Sequence, residues 1–256
     1  MIEKLISGAG CEVHDDEYLR LLGYPPGHEP GARARELAAW ARQWYGEHGR
    51  PWVYLREVSL ELTERGLQLD GRLFVSVKLQ RHLQDSGCRR AVLFAASAGR
   101  DCEEHARRLW EEAKPDEYFF LEIFGSAVVE QLVASASGRI CELAEGDGWR
   151  AVPHFSPGFS GWDIREQNAL HRLVLRDGTV VLPEPLDVLE SGMLRPKKSQ
   201  LAVFGLTTQA DAGDSGRWVP CHRCSFSPCR YRRAAYRPAR RAHAADGVPA
   251  ATSPTS

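Results

Sequence analysis

The residues of this chain best suited to chemistry are Cys221, Cys224 and Cys229. The Cys221-x-x-Cys224 spacing lets two thiolates chelate one metal ion, and Cys229 can supply a third. His222 or a more distant cysteine would complete a zinc site, while an open position would suit an iron–sulfur cluster, although the usual cluster runs carry a fourth cysteine. Reduced thiols without a ligand are the alternative. Arg230, Arg232, Arg233, Arg237, Arg240 and Arg241 follow, interleaved with Tyr231 and Tyr236. A solvated basic extension explains such a patch more simply than nucleic-acid binding does.

A second group runs from His154 to Trp162, where Ser156, Pro157 and Gly158 stand between Phe155 and Phe159. Ser-Pro-Gly is a tight-turn sequence, and a turn ahead of a helix leaves backbone N–H groups free for a carboxylate or a ribose hydroxyl. A plain surface loop has the same composition. Glu130 falls inside a run that is otherwise apolar, where a carboxylate needs a partner such as Arg139 or Arg165, or a place at a pocket wall.

These residues depend on regular elements for their placement. Helical spacing of Leu37, Trp40, Ala41, Trp44 and Tyr45 predicts an amphipathic helix over 33–48, stopped by Gly49 and Pro51. Alternation from Val53 to Leu62 predicts a strand, and Asp70-Gly71 between two short strand-like runs is the composition of a type I′ hairpin. A short helix over 78–84 precedes the uninterrupted apolar run 91–96, which suits a central strand. Asp101 with Glu104 reads as a capping pair for a helix that Pro115 closes, and 116–137 as a deeply packed helix. Asp163 with Glu166 reads as a further capping pair, and 179–185 and 199–206 as strands. The mixture is α+β, a single domain with a mainly antiparallel twisted sheet flanked by helices.

A formal net charge of -1 gives no global field toward nucleic acid or an anionic membrane. No apolar run approaches the ~18 residues of a membrane span, and the acidic start lacks the features of a signal peptide, so a cytoplasmic protein is expected. The seven cysteines are an odd number, against a disulfide framework. The Ala-, Pro-, Ser- and Thr-rich segment 241–256 reads as a disordered tail.

The stretch 154–162, the segment from Leu189 to Thr207 and the run around Glu130 together resemble the activation domain of cobalamin-dependent methionine synthase. In that family an Arg-Pro-Ala-Pro-Gly-Tyr stretch holds S-adenosylmethionine. Here the Pro-Gly-aromatic kernel is kept, with His154 at the arginine position and Phe159 at the tyrosine position. Glu190, Ser191, Pro196 and Ser199 match the second family motif, and Phe204 takes the place of the ring beside the ligand. The resemblance puts the Glu130 carboxylate toward the ligand.

The likeness implies an activation-type fold over 1–210, followed by a Cys-rich basic segment, 211–240, and the tail. It implies an S-adenosylmethionine site formed by Glu130, His154, Ser156, Pro157, Gly158, Phe159, Glu190 and Phe204. The chain would act on cobalamin presented by a corrinoid-binding methyltransferase or methionine synthase lacking its own activation domain. A flavodoxin- or ferredoxin-type protein would donate the electron. No residue stands out as a general base or nucleophile, so no independent turnover is expected. The alternative is a metal- or iron–sulfur-bearing partner of a corrinoid protein that binds no S-adenosylmethionine.

Overall fold

The computed structural model describes residues 1–8, 11–25, 27–144 and 148–209. The expected cysteine cluster, basic patch and tail lie outside the described residues.

One antiparallel sheet organises the fold. Its strands are β1 (Glu3–Ser7), β2 (Trp52–Thr63), β3 (Gly66–Leu69), β4 (Arg72–Phe74), β5 (Arg90–Ser97), β6 (Arg150–Ala151) and, later in the chain, β9 (Ser199–Thr207). The order is β4-β3-β2-β5-β9-β6, with β1 on the other edge of the first half of β2. The β3–β4 connection is the expected type I′ turn, for Asp70 and Gly71 both have positive φ, 47° and 76°.

The central strands alternate strictly between two cores. Val92, Phe94 and Ala96 of β5, with Ala202, Phe204 and Leu206 of β9, face a layer of four helices. These are α1 (Asp15–Leu22), α2 (Ala32–His48), α4 (Arg100–Glu111) and α5 (Pro115–Ala144). Ala91, Leu93, Ala95, Leu201 and Val203 face the opposite layer, built on α3 (Val77–Asp85) and α6 (Gln167–Val174). Burial on both faces explains why 91–96 reads as an unbroken apolar run.

Several local expectations are corrected. Pro115 opens α5 instead of closing α4: its missing N–H and fixed φ suit the first turn of a helix, and Tyr118 N–H donates back to Lys114 O at 3.0 Å. Asp101 lies within the first turn of α4, whose N-cap is Gly99 at φ 97°, and the first N–H, of Arg100, is met by the Glu184 carboxylate at 2.7 Å. A distant acid thus replaces a local cap.

Asp163 caps only a 3-10 turn, Ile164–Glu166, and Glu166 turns away to accept hydrogen bonds from Val75 N–H and the Trp162 indole. Residues 179–185 form no strand. Pro183 and Pro185 remove two donors, and Glu184 is committed to Trp52 Nε1 at 2.9 Å and Ser97 Oγ at 2.7 Å. Regular pairing resumes only in the hairpin β7 (Asp187–Val188) to β8 (Leu194–Arg195).

Helix α5 exceeds its expected bounds by seven residues at its C-terminus, ending at Ala144 where 137 was expected. By length and composition it is long and apolar enough to cross a membrane, contrary to the expectation that no run approaches that length. Its scattered Glu, Gly and Ser residues break the apolar run without lowering the average. Of its most apolar window 61% is buried against the other elements, which accounts for that composition as core.

Candidate functional site

The sequence from Phe155 to Trp162 folds as two successive turns. Phe159 N–H donates to Ser156 O at 3.0 Å across Pro157 and Gly158, and Gly158 has φ 90°, the geometry of a type II turn with Pro at its second and Gly at its third position. Trp162 N–H then donates to Phe159 O at 2.9 Å across Ser160 and Gly161, with φ 94° at Gly161. Gly158 N–H donates to Trp162 O at 3.0 Å and closes the loop.

This double turn is anchored to α3 and to β9. Ser76 Oγ donates to Gly161 O at 2.8 Å, and Lys78 Nζ donates to Ser160 Oγ at 2.7 Å. Phe155 and Val203 exchange both backbone hydrogen bonds, at 2.9 and 2.8 Å, and Gln200 Nε2 donates to the buried Ser156 hydroxyl at 2.9 Å. The two sequence segments singled out by type and spacing are therefore physically paired.

The pairing brings three expected site residues together. The half-buried His154 ring lies 5.5 Å from Phe204 and 5.6 Å from Phe159, and Phe159 meets Phe155 at 5.6 Å. Phe204 is fully buried and also packs edge-on against Phe94 at 5.7 Å, so it belongs to the helix-side core as well as to this cluster. Aromatic faces gathered around a half-open imidazole can attract a cation through their quadrupoles.

Glu190 is exposed at the tip of the β7–β8 turn, where Gly192 N–H donates to Leu189 O at 2.8 Å. That turn approaches the first through Ile164. A Cβ at Gly158 would lie 3.0 Å from Ile164 Cδ1, and one at Gly192 would lie 2.8 Å from Ile164 Cγ1. Glu130 is half-buried on α5. Arg165, one of its possible partners by sequence, forks onto Asp163, whose carboxyl is held down at about 2 by that hydrogen bond, the Arg165 backbone N–H and the neighbouring charge.

The sequence reading missed a more deeply placed carboxylate on the same helix. Glu122 sits 2.9 Å from Lys197 Nζ and 3.2 Å from Lys198 Nζ, and Lys198 also donates to Ser126 Oγ at 2.9 Å. Lys197-Lys198, directly after Pro196, was the available signal. Among the described residues no group of three or more His, Cys, Asp or Glu side chains is placed to hold a metal ion.

No protein-family model matches this chain, and no curated protein matches it in sequence. Among solved structures, the crystal structure of the MetH reactivation domain bound to AdoHcy is similar over 80% of this chain and 72% of its own, with a TM-score of 0.52 and 11% sequence identity. At that identity the likeness defines the fold: an α+β reactivation-domain architecture with a curled antiparallel sheet flanked by helices.

Proposed function

We propose that this chain is a reactivation-type protein, which holds S-adenosylmethionine beside a cobalamin presented by a partner methyltransferase and so supports its reductive methylation. The observation that carries this reading is the pairing of the 154–162 turn with β9, which gathers His154, Phe159 and Phe204 within a fold shared with a domain that binds AdoHcy.

The residues fit a sulfonium ligand. The half-buried Phe159 and His154 rings offer π faces worth ~0.5–2 kcal/mol to a cation, with the fully buried Phe204 packed against His154. Gly158, exposed at the apex of the first turn, allows close approach of a ligand to the backbone. In this reading Glu130 contributes the carboxylate for an α-ammonium group, and Glu190, exposed on the second turn, is a further acidic group of the site. When bound, S-adenosylmethionine supplies the methyl group that traps the strongly reducing cobalt as it forms. The chain's own contribution is orientation and electrostatics, with the turn and strand fixing the donor's position. In the same reading Cys221, Cys224 and Cys229 hold zinc or an iron–sulfur cluster that braces the C-terminal segment or relays the electron.

Calorimetric titration of the full chain with S-adenosylmethionine tests this. Saturable binding is expected, weakened by about 1.4 kcal/mol or more, a factor of ten, in Phe159→Ala and in Glu130→Ala. Absence of binding at millimolar ligand, or binding indifferent to both substitutions, overturns the site.

A further inference from the structure

A second cleft lies on the outer face of α4, lined by none of the residues of the His154 cluster. Its volume is about 440 Å³, within the range of ligand sites of ~300–1,000 Å³. One wall is a helical stripe, Arg100, Glu104, Arg107 and Trp110, spaced to share a face over about 15 Å. The opposite face of the helix is buried through Cys102, Ala106 and Leu109. The other wall is the turn Arg195-Pro196-Lys197, with Tyr118 of α5 at one end.

The contents of this cleft are specific in kind. Trp110 is 62% exposed, an unusual place for an indole, and its ring lies 5.2 Å from that of Tyr118. Lys197 Nζ stands 5.8 Å above the Tyr118 ring. Four cations, Arg100, Arg107, Arg195 and Lys197, line the cleft against two carboxylates, Glu103 and Glu104. Glu103 is engaged, accepting the Lys197 backbone N–H at 2.5 Å. Arg100 lines the cleft with its Nη2 directed to Pro185 O at 3.4 Å. Lys197 Nζ is paired with Glu122 at 2.9 Å and Arg107 with Glu111 at 3.4 Å, so Arg100 and Arg195 are the lining cations without an ion pair among the described residues.

We infer that this cleft binds a nucleotide, its base on the exposed Trp110 indole, its ribose hydroxyls toward Glu104 and its phosphate between Arg195 and Arg100. Each part has a physical counterpart. The exposed Trp110 indole offers a stacking surface to any planar base. A carboxylate suits ribose hydroxyls. Arginine forks match phosphate oxygens. The assignment is independent of the S-adenosylmethionine reading, because Glu130, His154, Phe159 and Phe204 do not line this cleft.

The test is calorimetric titration of the full chain with adenosine monophosphate, adenosine and inorganic phosphate. Saturable binding of the monophosphate is expected, with adenosine and phosphate each weaker by about tenfold or more. Trp110→Ala and Arg195→Ala, both at exposed positions, should each weaken the monophosphate by a similar factor, while His154→Ala leaves it unchanged. Circular dichroism confirms that the variants are folded. The inference falls if the monophosphate does not bind at millimolar concentration, if phosphate alone binds as well, or if Trp110→Ala has no effect. Loss of binding in His154→Ala also overturns it, since the nucleotide would then occupy the other site.

Discussion

Ile164 is the side chain on which both turns of the candidate site rest, and a pair of glycine substitutions measures how firmly. Gly158 has φ 90°, a conformation that disfavours an L-residue by about 1–2 kcal/mol. An alanine Cβ there would also meet Ile164 Cδ1 at 3.0 Å. Because Cδ1 is the tip of a flexible chain, relief requires only a rotamer adjustment of roughly 0.5–1.5 kcal/mol. Gly158→Ala should thus destabilise the protein by about 2 kcal/mol, lowering Tm by roughly 4–8 °C for a chain of this size. In an Ile164→Ala background the contact disappears and only the backbone strain remains, so the same substitution should be milder by about 0.5–1.5 kcal/mol.

Gly192→Ala supplies a contrasting arm. Its Cβ would lie 2.8 Å from Ile164 Cγ1 but also 3.0 Å from the Ile164 carbonyl oxygen, which truncating the side chain leaves in place. Ile164→Ala should therefore rescue Gly192→Ala less completely than Gly158→Ala. Urea unfolding of the three single and two double variants gives the coupling energies. Equal destabilisation by Gly158→Ala in both backgrounds, or none in either, would refute the packing argument.

Two further outcomes follow from charge. Arg56 is buried, donating to Asp70 Oδ2 at 2.7 Å and Leu173 O at 2.6 Å; Asp70→Asn keeps the left-handed turn but leaves the guanidinium without its counter-charge, with an expected loss of about 2–4 kcal/mol in urea unfolding. Burial pushes the Asp70 carboxyl up, yet the Arg56 hydrogen bond, the Ser59 N–H and the Arg56 charge leave it below its usual value. Its contribution should be complete above about pH 4, fade as pH falls through the lower folded value, and vanish in Asp70→Asn. Burial also lowers the pKa of His171, against the opposing bond of its Nε2 to Leu186 O at 2.6 Å. Its contribution to stability is therefore present above about pH 6.5 and lost as pH falls through the depressed folded value, and His171→Gln should flatten that acid slope in thermal melts recorded across pH.

Much of the fold was legible because its signals are local. Asp70-Gly71 names its own turn, the apolar run 91–96 announces a strand with two covered faces, and the spacing of 33–48 gives its helix almost to the residue. Of the candidate site, the turn at Ser156-Pro157-Gly158 and the strand β9 were legible, because turn chemistry and strand pattern are local. What escaped depends on distant partners. No periodicity reveals that Glu184 caps a helix that begins 84 positions earlier in sequence, or that Glu166 abandons its own turn for Val75. Pro115 was misread because proline stops a helix and starts one with equal ease, and only the Lys114 acceptor decides between them. Glu122 escaped for the same reason, since its two lysines lie beyond Pro196.

The central position of β9 has a consequence for the order in which the molecule can be finished. This strand supplies alternate side chains to both cores and pairs with β5 from Arg90–Leu206 to Ser97–Ser199, across more than a hundred intervening residues. On a ribosome, the other strands and the six helices of the described residues all emerge before it. Until residue 207 is free, one edge of β5 stays open and Phe94 lacks Phe204, so neither layer can seal. Folding of this domain should be a late event in its synthesis, and nascent chains that stop before residue 199 should bind chaperones or be cut by protease, while chains that extend well past 207 should resist both.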